Sequence, residues 1–264
     1  MKRRWFLAST AAVAFLTVGL TAACGGGGSS TGDSGAQVLV MATSADYPPY
    51  EFVETAGGTE EIVGFDVDIA RHITSELGYE LEITNMDFSG LIPALQAGRA
   101  DFVMAGMTPT EERKQNVDFS NIYFEAKNML VFSAEANITG PEDLADKTVG
   151  VQLGSIQEGL GNDLMAATPG MKISSLNRIN EMVQELKSGR IDAAIMENTV
   201  ADGFLANNPD LRAVEIPDEE AAGSAIAFPK DSDRVEDFNR VLAEMESSGL
   251  MEELILKWFG DGEG

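Results

Sequence analysis

The stretch Asp101-Phe-Val-Met-Ala-Gly-Met-Thr-Pro-Thr-Glu-Glu-Arg113 decides how this chain reads. An apolar run, Phe102-Val103-Met104-Ala105, predicts a short buried strand from Asp101 to Gly106. Helix-start signals follow at once. Thr108 is suited to the N-cap and Pro109 to the first helical position, and Glu111 completes a capping box. Gly106 lets a ligand approach the backbone, the opening helix presents unpaired N–H groups, and Arg113 adds a planar two-pronged donor. Together these spell a carboxylate site at a helix start. The plain alternative is an ordinary strand–turn–helix unit with a solvated arginine.

Outward from this stretch, short apolar strands alternate with amphipathic helices. Upstream, Gln37–Thr43 reads as a strand and Phe65–Leu77 as a helix with Ile69, Ala70, Ile73 and Leu77 on one face. Tyr79–Thr84 is a further strand, and Ser89–Ala97 is a helix closed by Gly98. This order predicts a parallel sheet covered on both faces. The same grammar restarts downstream, with strands at Met129–Phe132, Thr148–Val151, Lys172–Leu176 and Ile191–Met196. Helices are expected at Pro141–Leu144, Ser155–Met165, Ile179–Ser188 and Thr199–Asn207. A last block holds a strand around Ala225–Phe228 and helices Asp233–Ser248 and Met251–Phe259.

One internal echo links the halves. Leu95-Gln-Ala-Gly-Arg-Ala-Asp101 recurs 91 residues later as Leu186-Lys-Ser-Gly-Arg-Ile-Asp192. On that register Gly106 falls opposite Glu197. Each half then offers polar groups at the carboxyl end of an equivalent strand, where open α/β sheets bind ligands, and two such halves would face each other across a cleft.

Composition narrows the function. Asp and Glu number 43 against 18 Lys and Arg, giving a formal charge of −25. Lys2-Arg3-Arg4, the apolar run Trp5–Leu20 and Leu20-Thr-Ala-Ala-Cys24 read as a secretory signal over residues 1–23. Its removal takes away three positive charges and no negative ones, leaving −28. Nucleic acid is therefore a poor partner, since phosphate binding needs a basic surface. Cys24 is the only cysteine, so no disulfide can brace the fold. His72 is the only histidine, which disfavours a His-rich metal site and a Ser-His-Asp triad, and no cofactor or metal is expected.

The run before Cys24 resembles a bacterial lipobox, with Thr21 where leucine is more usual. Cys24 would then be the lipidated (palmitate-bearing) first residue of the mature chain; the alternative is a plain signal peptide with an incidental cysteine. Residues 24–35 form a Gly/Ser tether, and no later apolar segment is long enough to span a bilayer. The expectation is an extracytoplasmic domain, lipid-anchored to the outer face of the cell membrane. The 229 residues from Ala36 to Gly264 suffice for two lobes.

Several motifs resemble one family. Gly64-Phe-Asp-Val-Asp-Ile-Ala resembles the signature of family 3 extracytoplasmic solute-binding proteins, the amino-acid receptors of ABC importers, with Thr74 a slight departure. Asp46-Tyr-Pro-Pro-Tyr-Glu-Phe52 resembles that family's first ligand loop. Asp87-Phe-Ser-Gly-Leu-Ile-Pro-Ala-Leu-Gln96, Ala105–Arg113 and Ile226-Ala-Phe-Pro-Lys230 look most like the glutamine-binding members. The resemblance implies an α/β, periplasmic-binding-protein-like fold, two lobes with central, mostly parallel sheets joined by a two-strand hinge. Lobe 1 would comprise residues 36–122 and 224–264, and lobe 2 residues 127–220.

It also implies a ligand site. The carboxylate clamp falls on Arg113, Thr108 and Gly106, second-lobe contacts on Gln152, Ser155 and Ile156, and the ammonium anchor on Glu197, where aspartate is more usual. Tyr47 and Phe88 become aromatic walls, and Ser44 occupies a position where members for glutamine or basic amino acids often carry Asp. Ordinary core packing is the alternative for Tyr47 and Phe88, and a helix-start acid the alternative for Glu197. Tyr50 and Phe52 read as core or rim.

The implied function is a non-catalytic monomer that binds a polar L-amino acid, glutamine-like, and delivers it to an ABC permease and its ATPase. An amino-acid-like solute such as ectoine stays open. A cyclohexadienyl-dehydratase-like enzyme on the same fold, or an extracellular amino-acid sensor, are the competing readings.

Overall fold

The computed structural model describes residues 36–217 and 222–260. The expected signal, Cys24 and the expected tether lie outside the described residues. The first half runs β1 (Val38–Thr43), β2 (Asp46–Tyr47), β3 (Glu51–Ala56), β4 (Thr59–Val63), α1 (Phe65–Glu76), β5 (Glu80–Asn85), a 3-10 turn (Phe88–Gly90), α2 (Leu91–Gln96), β6 (Phe102–Val103), α3 (Glu111–Lys114) and β7 (Val117–Ala126). The second runs β8 (Asn128–Ser133), a 3-10 turn (Pro141–Asp143), β9 (Thr148–Gln152), α4 (Ile156–Ala167), β10 (Lys172–Leu176), α5 (Ile179–Lys187), β11 (Ala193–Glu197), α6 (Asn198–Asn207) and β12 (Leu211–Glu215). The chain closes with β13 (Ala222–Pro229), α7 (Arg234–Ser248) and α8 (Leu250–Phe259).

Two five-stranded sheets result, in the orders β5-β1-β6-β13-β7 and β10-β9-β11-β8-β12. They are mixed rather than mostly parallel. β1 pairs parallel with β5 and β6, but β13 runs antiparallel to β6 and β7. In the second sheet β9 pairs parallel with β10 and β11, and β8 runs antiparallel to β11 and β12. The antiparallel half of each sheet follows from the passage between them: β7 leaves the first sheet at Ala126, Asn128 begins β8 in the second, and β13 returns to the first beside β7. Three further strand features go beyond the sequence expectation, the meander β2-β3-β4, the ten-residue strand β7 and the edge strand β12.

The echoed segments occupy equivalent places. Asp101 Oδ2 accepts the Val40 N–H of β1 at 2.8 Å, and Asp192 Oδ2 accepts the Thr148 N–H of β9 at 2.8 Å. Each aspartate thus tethers the entry of one central strand to the start of its parallel neighbour. The largest apolar cluster draws on both sheets, with Phe65, Phe102 and Phe238 from one side and Met182, Met196 and Leu211 from the other. Smaller clusters around Leu91 and Val103, and around Val149 and Ile195, cover the opposite faces. Among the described residues no helix is long and apolar enough to cross a membrane.

Candidate functional site

Strand ends and the turns that follow them build a cavity between the two sheets. Nine of the ten residues predicted for the site line it: Tyr47, Phe88, Gly106, Thr108 and Arg113 from one lobe, and Gln152, Ser155, Ile156 and Glu197 from the other. Ala105 and Gln157 complete the lining. The cavity holds about 260 Å³ of atom-free space, with its walls so close that there is room for about one water.

Ser44, the tenth, stands apart. It is buried, and its hydroxyl donates to Asp46 Oδ1 at 2.9 Å instead of facing the cavity.

The turn after β6 differs from its expected form. α3 starts at Glu111, and Thr110 rather than Thr108 is its cap, accepting the Arg113 N–H on Oγ1 at 3.2 Å. The Thr108 carbonyl explains the shift. It accepts the Thr110 N–H at 3.0 Å and Arg113 Nη1 at 2.8 Å, so it is engaged before a helical turn can begin. This lobe therefore presents the Arg113 fork to the cavity, with no helix start at Thr108. Gly106 also has a different role. Its N–H donates to Asp66 Oδ2 at 3.0 Å, so that amide is committed. Its φ of +54° suits glycine, and a Cβ there would meet Tyr47 Cε1 at 3.3 Å, so the small residue lets the Tyr47 ring close over the backbone.

Arg113 is half-buried, with Cζ 5.4 Å from the centre of the Phe88 ring. Its Nη2 reaches across to the Gly154 carbonyl at 2.9 Å. Burial draws the guanidinium down to about 10, with the neighbouring Glu112 charge opposing, so it remains cationic at neutral pH.

On the facing side, α4 opens with Ser155 as its cap, accepting the Glu158 N–H at 3.2 Å. The amides of Ile156 and Gln157 have no acceptor within the helix.

Glu197 ends β11 and precedes α6, and it is 2 % exposed. Burial pushes its carboxyl up to about 8; a hydrogen bond from Tyr50 opposes this, the Asp66 charge adds to it, and a hydrogen bond from Tyr47 opposes it again. Its Oε2 is buried without a partner. Tyr50 was expected as core or rim. Its ring is indeed core, stacked 5.5 Å from Tyr47, but its hydroxyl serves Glu197 and accepts from Thr199 Oγ1 at 3.3 Å.

Behind Tyr47 lie two buried acids that sequence reasoning passed over. Asp66, the first acid of the Gly64-Phe-Asp motif, accepts the Tyr123 hydroxyl at 2.9 Å on both oxygens as well as the Gly106 N–H. It thereby joins the cavity-side turn at Gly106 to β7. Burial raises its carboxyl to about 6, against the lowering effect of those donors. Glu51 is fully buried; burial and the charge of Asp66 hold its carboxyl well above the usual range. Among the described residues no group of three or more His, Cys, Asp or Glu is arranged to hold a metal ion.

Two α/β lobes meeting over a small polar cavity define a solute-binding protein. The chain belongs to the bacterial extracellular solute-binding proteins, family 3, which it matches over residues 39–261. It is 48% identical over 259 residues, 97% of this chain and 98% of the relative, to the arginine-binding extracellular protein ArtP of Bacillus subtilis. The crystal structure of the substrate-binding protein of an amino acid ABC transporter is similar at TM-score 0.80 and 43% identity, covering 84% of this chain and 99% of that one. The amino acid ABC transporter substrate-binding protein AbpA of Streptococcus pneumoniae, solved bound to L-arginine, matches at TM-score 0.79 and 37% identity, over 84% of this chain and 94% of that one.

Proposed function

We propose that this protein captures a cationic L-amino acid, arginine first, between its lobes and hands it to the permease of an ABC importer. One observation carries the reading: a guanidinium on one lobe, Arg113, faces the same cavity as a buried carboxyl on the other, Glu197, whose Oε2 has no partner. The α-carboxylate exchanges for the Gly154 carbonyl on the Arg113 fork, helped by the first-turn amides of α4. The α-ammonium goes to Glu197, and the stem lies between Tyr47 and Phe88. Because the anchors belong to different lobes, a zwitterion that bridges them favours the closed conformer. The walls stand too close for an amino acid at present, so binding parts them slightly.

Two features support a cation over glutamine, the cargo the motifs first suggest. Aromatic faces at Tyr47 and Phe88 suit a guanidinium. The relatives named above include an arginine-binding protein and one bound to L-arginine.

In the same reading, residues 36–122 with 224–264 and residues 127–220 are the two moving bodies. The protein acts as a monomer, and Cys24 carries a lipid that holds it by the 24–35 tether at the outer face of the membrane.

The elevated Glu197 carboxyl also suits a general acid, which keeps a dehydratase-like activity as the second reading. Thermal unfolding against the twenty L-amino acids and ectoine separates the two. Ligand at a hundred times its Kd adds roughly 2.7 kcal/mol of stability. A shift with arginine supports the receptor. No shift anywhere, with turnover of prephenate or arogenate, refutes it.

A further inference from the structure

Away from the cavity lining, two of the contacts that join the lobes converge on the start of α5. Asp46, 8 % exposed at the start of β2, accepts the Ile179 N–H on Oδ2 at 2.7 Å. Its other oxygen takes the Ser44 hydroxyl, which fixes the carboxylate's orientation. Asp87, just before the Phe88 turn, meets Arg178 Nη2 at 2.9 Å. Arg178 is the N-cap of α5 and Ile179 its first residue. Two acids of one lobe thus grip the electropositive start of a nine-residue helix on the other, where negative charge is favoured. Where the resemblance places a ligand-side acid at position 44, this chain has a serine that serves Asp46 instead.

We propose that Ser44, Asp46 and Asp87 with Arg178–Ile179 form a closing latch, a set of positioning residues that raises affinity without touching the ligand. This rests on the solute-binding reading above. Each bond spans the lobes, so it forms only when they are together and stabilises the closed conformer alone. Apparent affinity scales with the population of the binding-competent state, so any loss of closed-state stability appears as a proportional rise in Kd. The contribution is graded by burial. The partly exposed Asp87–Arg178 pair is the weak element, and the buried, charge-assisted Asp46 contact the strong one.

The test is calorimetric titration of the purified protein with L-arginine, alongside stopped-flow kinetics. Asp87→Asn and Arg178→Gln each raise Kd about two- to fivefold, and the double variant no further than the larger single effect. Asp46→Ala raises Kd by roughly tenfold or more. The losses fall mainly on the dissociation rate, since the latch bonds must break before the lobes part. Wild-type Kd in all the variants overturns the latch and leaves the cargo intact. Absence of arginine binding by the wild type refutes the cargo instead. Single-molecule FRET between labels on the two lobes, without ligand, then still decides the latch: the variants lower the closed fraction, and an unchanged fraction overturns it. If Asp46→Ala does not fold, the exposed pair carries both arms.

Discussion

Replacing Glu197 by glutamine separates binding from folding with opposite signs. The side chain is 2 % exposed, its Oε2 lacks a partner, and the Tyr47 and Tyr50 hydroxyls hydrogen-bond to the carboxyl. Glutamine keeps the shape and an acceptor for those hydroxyls but removes the charge that a bound ammonium requires. Deleting one partner of a buried ion pair costs about 3–5 kcal/mol, which corresponds to a rise in Kd of roughly 150-fold to several thousandfold. The ligand-free fold gains instead. A carboxyl that burial pushes up to about 8 is disfavoured in its charged form, and the amide carries no such penalty. Titration calorimetry with L-arginine gives the first quantity, and thermal unfolding of the ligand-free variant above pH 8 gives the second. Glu197→Gln should bind at least a hundredfold more weakly and melt at or above the wild-type temperature. Arginine affinity within threefold of wild type would refute Glu197 as the ammonium anchor, by a margin far below the buried-pair range.

The same acid predicts two pH effects. Its folded value lies above its unfolded one, so ligand-free stability is greatest below the ordinary carboxyl range and is lost as pH rises through about 8, with Asp66 contributing up to about 6. Ligand binding ionises Glu197, so at pH 7 it should release a proton, read as a binding enthalpy that varies with the buffer's ionisation enthalpy. Arg113→Ala should weaken arginine binding by roughly a hundredfold or more through loss of a charged two-point contact, with Arg113→Lys in between, both measured by titration. Asp66→Ala frees both the Gly106 amide and the Tyr123 hydroxyl; it should lower the melting temperature and weaken binding together, whereas Tyr123→Phe should affect mainly stability. Cys24→Ser should abolish incorporation of labelled palmitate and release the protein from the membrane fraction.

Much of the frame was readable because burial writes itself into sequence period. The predicted segment Lys172–Leu176 matches β10 at both ends, and α1, α5 and α7 fall within a residue or two of expectation, since each has one apolar face against a sheet. The echo at Asp101 and Asp192 carried through to matching backbone contacts because the same local geometry was written twice. The meander was missed for the converse reason: Val53–Glu61 is exposed, so no alternation marks β3 and β4. The wrong cap arose from two threonines, Thr108 and Thr110, flanking one proline; the choice between them shows only in the bonds Arg113 makes, its N–H to Thr110 Oγ1 and its fork to the Thr108 carbonyl. Asp66, Glu51 and the Tyr50 hydroxyl were illegible because their partners come from segments distant in sequence. Ser44 was misread because its partner, Asp46, was itself drawn to the other lobe.

The most direct test of the central claim is a crystal structure of the protein grown with L-arginine. The account predicts one arginine in the interlobe cavity, its carboxylate on the Arg113 fork, its ammonium on Glu197 and its stem between Tyr47 and Phe88. The lobes would stand slightly further apart than here, with Asp46 still bound to the Ile179 amide. Arginine held elsewhere, or held here with Arg113 still bonded to Gly154 and Glu197 untouched, would contradict it.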